Sequence, residues 1–349
     1  MSTAYLGNWN EMPKDKSNLL NSHLLVVRNL STHFSSEEGV VKAVDDVSFH
    51  VDNGETIGIV GESGSGKSVT ALSILRIVPE PGKIVSGKVL FEGRELTLLS
   101  ESEMRKIRGR EISMIFQDPM TSLNPVLTVG EQLAETYGIH EKISKHEAMT
   151  SALSMLKKVG IPLPEERLRQ YPFELSGGMR QRVMIAMSLS LKPKLLIADE
   201  PTTALDVTIQ AQILELIREL KREFGSAVIL ITHDLGVVAE NCERVIVMYG
   251  GRIMEEGKIK DIFKSALHPY TRGLLACLPR PDEKRERLDP IPGSPPRLAE
   301  LNPGCPFEER CTVKLERCFN DRPVLTGMAE GHLVACWLYA NPLVPFQIK

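Results

Sequence analysis

ETIGIVGESGSGKSVTALSILRIV, residues 55–78, decides the fold. It opens with an apolar β-run, closes on a helical pattern, and places between them GESGSGKS, Gly61 to Ser68, which fits G-x-x-x-x-G-K-[ST]. A strand that feeds a glycine-rich turn and then a helix is the setting in which this motif cradles a phosphate chain. The backbone N–H groups of Gly61, Glu62, Ser63, Gly64, Ser65 and Gly66 can surround the phosphates. Lys67 can set a positive charge near the outer ones, and Ser68 can ligate Mg2+. Glycine is needed because a Cβ would block so close a backbone approach.

Outward from this unit, short β-rich runs alternate with longer helical patterns. LLVVRNL, DDVSFHV, ETIGIV, KVLFEG, ISMIF, KLLIADE, AVILITHD and RVIVMYGG are strand candidates, and the alternation predicts an α/β fold. After Asp206 the residues Ile209, Ile213, Leu216, Ile217 and Leu220 recur at helical spacing, so VTIQAQILELIRELKREF is an amphipathic helix leading to the next strand. Between Gln117 and Arg182 the strand signals stop and helical ones such as HEAMTSALSMLKKVG take over, which predicts a helical insertion at about residues 118–185.

Near the end of that insertion a second helix opens on glycines. LSGGMRQR, residues 175–182, follows the turn-forming YPFE and runs into VMIAMSLSL. A helix N-terminus carries unpaired N–H groups and partial positive charge, so Ser176 with Gly177 and Gly178 makes a second anion site.

Acids and their neighbours collect at strand ends. LLIADE closes an apolar strand with Asp199 and Glu200 side by side, at the carboxyl edge where α/β folds bind ligands. Asp199 is suited to hold Mg2+ through water, and Glu200 to polarise the water that attacks the terminal phosphate. Gln117 closes ISMIFQ and His233 closes AVILITHD, on the same predicted edge. Read singly, the acidic pair is a solvated cap, Gln117 a turn residue, His233 a surface residue and Asp206 a helix N-cap.

GESGSGKS, Gln117, LSGGMRQR, LLIADE, TALD and His233, in this order, resemble an ATP-binding cassette ATPase over roughly residues 23–260. Met179 stands where that family usually has Gln. The resemblance implies a nucleotide-binding domain with a RecA-like core sheet, an antiparallel β subdomain and a helical subdomain. It implies ATP and Mg2+ as cofactors, with Glu200, His233 and Gln117 catalytic and Gln117 also at the Mg2+. It places Phe34 against adenine, although a core role is the plainer reading of that residue. Ser176, Gly177, Gly178 and Asp206 would act on ATP bound to a partner in a head-to-tail pair, because the insertion is badly placed to reach its own phosphate loop. The stretch SLNPVLTVGEQ resembles the surface that receives a short helix from a membrane subunit.

The bulk properties fit that reading. With 42 Lys+Arg against 45 Asp+Glu the formal charge is −3, which gives no global field toward nucleic acid. No stretch approaches the roughly 18 apolar residues of a membrane-spanning helix. Residues 1–22 are polar, with no apolar core of a secretory signal, and read as a loose lead-in. Of the six cysteines, Cys242 and Cys277 sit alone on helical patterns and read as ordinary buried residues.

From about residue 260 the character changes, through the proline-rich LPRPDEKRERLDPIPGSPP to a cysteine cluster, and residues 261–349 read as a separate appendage. Cys305, Cys311, Cys318 and Cys336 are spaced C-x5-C-x6-C-x17-C, unlike ferredoxin runs or the close pairs of zinc ribbons, yet four thiolates make one full ligand set. HPYTRGLLACLP followed by PIPGSPP and GCPFEERC resembles the tail of ATPases of oligopeptide, dipeptide and nickel importers. That resemblance implies a [4Fe–4S] cluster; the alternatives are zinc, for which His332 would be a substitute ligand, and unligated structural cysteines. It further implies two permease subunits, a sister ATPase in a heterodimer, an extracytoplasmic peptide-binding protein acting indirectly, and a peripheral place on the cytoplasmic membrane face. The rival readings are nickel import, a soluble cassette ATPase acting on DNA or the ribosome, and a metal- or redox-sensing module.

Overall fold

The computed structural model describes residues 23–36, 39–203, 205–278 and 291–339, so the lead-in and most of the proline-rich linker lie outside the described residues. In chain order the first elements are β1 (Leu25–Ser36), β2 (Gly39–Val51), β3 (Thr56–Val60), α1 (Lys67–Ile74), β4 (Gly82–Phe91), β5 (Arg94–Glu95), α2 (Glu101–Ile107) and β6 (Ile112–Ile115). Six helices and a strand follow: α3 (Pro119–Ser122), α4 (Val129–His140), α5 (Lys145–Lys158), α6 (Pro164–Arg167), α7 (Gly177–Leu189), β7 (Leu195–Asp199) and α8 (Val207–Phe224). The rest are β8 (Ala227–Thr232), α9 (Leu235–Asn241), β9 (Arg244–Tyr249), β10 (Arg252–Lys258), α10 (Ile259–Ser265), α11 (Pro269–Ala276), α12 (Arg317–Asn320), β11 (Thr326–Ala329) and β12 (His332–Val334). They fall into two compact units, one built from residues up to 52, 57–97 and 232 onward, the other from 53–56 and 98–231.

The first unit holds two β layers. An antiparallel sheet runs β2-β1-β4-β5, with Leu25 opposite both Val51 and Phe91. Its strands are longer than the short runs predicted, because the hairpin continues through polar residues that keep pairing on an exposed edge. The second layer runs β11-β12-β10-β9-β3. β3 and β9 pair in parallel, Ile57 with Arg244 through Val60 with Val247, and every residue of both is buried. That is why they read as unbroken apolar runs. β9 and β10 form a two-residue hairpin in which Gly250 and Gly251 both have positive φ, 56° and 79°, and Tyr249 faces Arg252. Two consecutive left-handed residues are what a tight hairpin needs, and GG supplies them.

The tail does not stand apart from this unit. β12 pairs antiparallel with β10, Glu255 opposite Val334 and Glu256 opposite Leu333. Phe307 packs on Tyr249 and Tyr270, all three buried, with ring centroids 5.2 Å apart in each case. Burying three large aromatic side chains outweighs the linker composition that suggested a separate appendage.

The second unit pairs β6, β7 and β8 in parallel, again with wholly buried strands. Helices α2, α4 and α5 each begin with a reciprocal capping box, Ser100 with Glu103, Thr128 with Glu131 and Ser144 with Glu147. Helix α8 buries Ile213, Leu214, Leu216, Ile217 and Leu220, starts on the Asp206 side chain and ends at Gly225 with φ 70°. Between residues 118 and 185 the described elements are helical, as predicted.

Candidate functional site

In the first unit the loop Gly61 to Ser68 leaves β3 and enters α1. Gly61, Gly64 and Gly66 have φ of 155°, 76° and 100°. A Cβ on Gly61 would collide with the Met248 carbonyl, and one on Gly66 with the Ala43 carbonyl. Lys67 is 5% exposed and its Nζ donates to Gly61 O at 2.8 Å, Glu62 O at 2.9 Å and Ser65 Oγ at 3.3 Å. The ammonium is thus held inside the loop at its N-terminal end. Gly66 caps α1 without a side-chain acceptor. Phe34 is half-buried, with its ring so close over Gly82 that a Cβ there would overlap it at 2.5 Å. His233 is exposed, one residue beyond β8.

The second unit brings three of the remaining residues together. Asp199 ends β7 at 4% exposure. Glu200 follows with φ 45°, its N–H donating to Ile231 O at 2.9 Å. One carboxylate oxygen, Oε2, accepts from Gln117 Nε2 at 3.3 Å and from Thr203 Oγ1 at 2.8 Å. A left-handed non-glycine residue costs on the order of 1–3 kcal/mol, and such strain collects where a side chain must be aimed.

Helix α7 begins as predicted, with Ser176 exposed and its Oγ accepting from Met179 N at 3.3 Å. Gly178 packs toward Ile209 and Gly177 toward Leu205, which flank Asp206. Asp206 accepts from Ile209 N at 2.9 Å, so its plain reading as N-cap holds.

In the tail of the first unit, Cys305, Cys311, Cys318 and Cys336 line one cavity with Phe307 and Trp337. Burial pushes the Cys305 thiol up to about 12 and Cys336 up to about 11, and raises Cys311. Cys318 Sγ accepts from Leu315 N at 3.4 Å, and the backbone N–H groups of Phe307, Val313 and Leu338 oppose the rise at Cys305, Cys311 and Cys336. His332 turns away from this set. Its Nε2 meets Glu255 Oε1 at 2.8 Å in a buried pair, because β12 lays it beside β10. Cys242 and Cys277 are half-buried rather than buried.

Three residues escaped sequence reading. Thr203 lies in TTALD, where only its spacing from Glu200 hinted at a bond. Tyr270 Oη accepts from Glu62 N at 2.9 Å, and Arg310 pairs with the Glu62 carboxylate at 2.5 and 3.0 Å. Both are more than 200 residues from Glu62, beyond any local pattern.

The chain matches the family model for ABC transporters over residues 44–203 and that for the oligopeptide/dipeptide transporter C-terminal region over 254–318. It is 58% identical over 316 residues to the probable peptide ABC transporter ATP-binding protein y4tR of Sinorhizobium fredii, covering 90% of this chain and 94% of that protein. It is 55% identical to the dipeptide transport ATP-binding protein DppD of Bacillus subtilis, with the same coverage. Among solved structures, the post-hydrolysis dimer of the ATP-binding cassette MJ0796 bound to ADP and Pi superposes with a TM-score of 0.61 at 31% identity, over 67% of this chain and 98% of that one.

Proposed function

Because the chain belongs to the ABC transporter family of ATP-hydrolysing subunits and carries an oligopeptide/dipeptide transporter C-terminal region, we propose that it powers import of di- or oligopeptides through two partner permease subunits. The observation that carries this reading is that similarity to peptide-transport subunits runs past the cassette and through the tail, over 90% of the chain. On this reading residues 23–260 are the cassette, 261–349 the extension, and the protein works peripherally at the cytoplasmic membrane face beside a sister ATPase. An extracytoplasmic binding protein delivers the peptide.

ATP lies with its phosphates on the amides of residues 61–66, and Lys67 gives up its bonds to the Gly61 and Glu62 carbonyls to meet the outer oxygens. By family resemblance Ser68 and Gln117 would hold Mg2+, Asp199 would act on it through water, and Phe34 would stack on adenine; the metal would offset charge on the phosphates. Glu200 polarises the attacking water. Its left-handed backbone and its bonds to Gln117 and Thr203 support that role, since a base of fixed direction spends nothing on orienting itself in the transition state. His233 stands near the γ-phosphate. The exposed α7 N-terminus, with Ser176, Gly177, Gly178 and the neighbouring Asp206, closes on the γ-phosphate bound to the partner subunit. Loss of that phosphate removes the differential contact and lets the pair open.

The four tail cysteines hold a [4Fe–4S] cluster. What supports this is that the four cysteines line one cavity, with the Leu315 N–H 3.4 Å from Cys318 Sγ, and four thiolates make one full ligand set. Anaerobic purification followed by iron and acid-labile sulfide assays tests this; zinc alone, or no metal, overturns it.

The import reading is tested in proteoliposomes holding the permeases, this subunit and its sister ATPase, with a peptide-loaded binding protein. ATP-dependent peptide uptake is expected. Uptake of nickel without peptide, or ATPase activity stimulated by DNA in place of permeases, overturns it.

A further inference from the structure

Glu62 is the second residue of the phosphate loop, at a position the motif leaves free, and yet every one of its polar atoms is engaged. Its N–H donates to Tyr270 Oη at 2.9 Å, and its carbonyl accepts from Lys67 Nζ at 2.9 Å and from Ser65 N at 3.2 Å. Its carboxylate takes both terminal nitrogens of Arg310, Nη1 to Oε2 at 2.5 Å and Nη2 to Oε1 at 3.0 Å. At Gly64 the loop has room, for a Cβ added there would meet nothing within 4 Å.

Arg310 is itself fixed. Its residue is 8% exposed, Nε donates to Pro292 O at 2.8 Å, Nη1 donates to Tyr249 Oη at 3.1 Å, and the guanidinium lies 5.7 Å from the Tyr249 ring and 6.0 Å from Phe307. Burial works against the charge, but the bonds to Glu62 and Tyr249 raise its pKa and keep it charged. A bidentate Arg–carboxylate contact fixes direction as well as distance. Arg310 therefore transmits the rigid position of the aromatic cluster to the flank of the loop.

We propose that Arg310 is a positioning residue for nucleotide binding: it anchors Glu62 so that the amides of residues 61–66 are already arranged for the phosphates before ATP arrives. This deepens the ATPase reading and is independent of what the four cysteines hold. Without the anchor, part of the affinity is spent on ordering the loop, which weakens ATP binding without touching the reacting water.

The test is a double-mutant cycle in the full chain with Arg310→Met, Glu62→Gln and the pair. ATP affinity is read by titration calorimetry, folding by thermal melts, and turnover as KM against kcat. Each single variant lowers ATP affinity about tenfold, within the range of ordinary site-to-site coupling, and Arg310→Met, which lies outside the phosphate loop, raises KM while kcat at saturation stays within about twofold. Each also loses stability, because one member of a buried pair is left alone. The double variant regains stability but keeps the weakened affinity, no worse than either single. Recovery of affinity with stability, an affinity loss in the double equal to the product of the two singles, or a fall in kcat at unchanged KM overturns the proposal. Should Arg310→Met not fold, Arg310→Lys keeps the charge but loses the fork, and unchanged affinity there is equally fatal.

Discussion

Two helices in this molecule open on glycine, and the reasons differ. At the head of α1 the glycines are imposed by the chain itself: Gly61 and Gly66 have positive φ and no room for a Cβ against Met248 and Ala43. At the head of α7 the backbone is ordinary, and a Cβ on Gly177 would find only Leu205 Cδ2, at 4.0 Å. Its cap Ser176 is exposed. The first set of glycines is explained by folding, and so is Gly178, where a Cβ would sit 3.3 Å from Ile209 Cγ2. Nothing in the fold asks for glycine at 177, and in the proposed function what comes close to it is the γ-phosphate on a partner subunit.

Removing the carboxylate proposed as the general base puts the largest strain on that contrast. Glu200→Gln keeps the bonds to Gln117 and Thr203 within reach but removes the carboxylate. ATP hydrolysis falls by about two to four orders of magnitude, the usual worth of a general base. ATP then traps a dimer visible by size-exclusion chromatography. Hydrolysis at the normal rate refutes the role of Glu200, and a variant that stays monomeric with ATP refutes the role of the α7 opening.

Acid separates the two helices by a second route. His268 is buried, and burial lowers its pKa to about 4, with Glu255 opposing and Arg272 assisting the shift. Burial acts against the Glu255 charge, but the bonds from His332 and from the Leu267 and His268 amides overcome it and lower that pKa too. Between pH 6.5 and about 4 the unfolded chain takes up a proton on this histidine that the folded chain refuses. Stability is therefore complete above the unfolded value and is lost as pH falls, by about 3 kcal/mol for the histidine alone. Both groups hold the start of α11, whose Tyr270 carries Glu62. Hydrogen exchange at pH 7 and pH 4.5, corrected for intrinsic rates, should show α11 and the phosphate loop losing protection while α7 keeps its own. Equal loss in both removes the distinction.

The same contrast explains what could be read from sequence. Local signals sufficed for the strand, loop and helix at 55–78, for the helical pattern of the insertion, and for the opening at Ser176, because each is set within a few residues. The pair Asp199 and Glu200 was legible as a strand end, but the backbone twist at Glu200 and its bond to Thr203 were not, since no residue type announces a strained φ. The integration of the tail was hidden for another reason. It rests on Phe307, Tyr249 and Tyr270 meeting across long sequence separations, while the prolines and charges between them suggested a boundary. His332 likewise looked like a metal ligand until its strand set it beside Glu255.

Single methyl groups give a smaller and sharper test. Gly66→Ala forces a left-handed residue into the Ala43 carbonyl and should cost on the order of 1–3 kcal/mol of stability, read as a lower thermal midpoint, together with loss of ATP binding.

Gly177→Ala should do the reverse to the fold. The position is helical and its Cβ has room, so alanine's better helix propensity contributes up to about 1 kcal/mol in the interior and less at this first-turn position. The thermal midpoint should stay level or rise slightly, and ATP should still bind to the monomer, since the phosphate loop is untouched. What the added methyl removes is close approach from outside. Placed in the Glu200→Gln background, it should raise the protein concentration needed for the ATP-trapped dimer by about tenfold, the factor for each 1.4 kcal/mol of association. A variant that is more stable, binds ATP and pairs as before would leave Gly177 with no reason to be glycine, and the contrast between the two helix openings would lose its physical content.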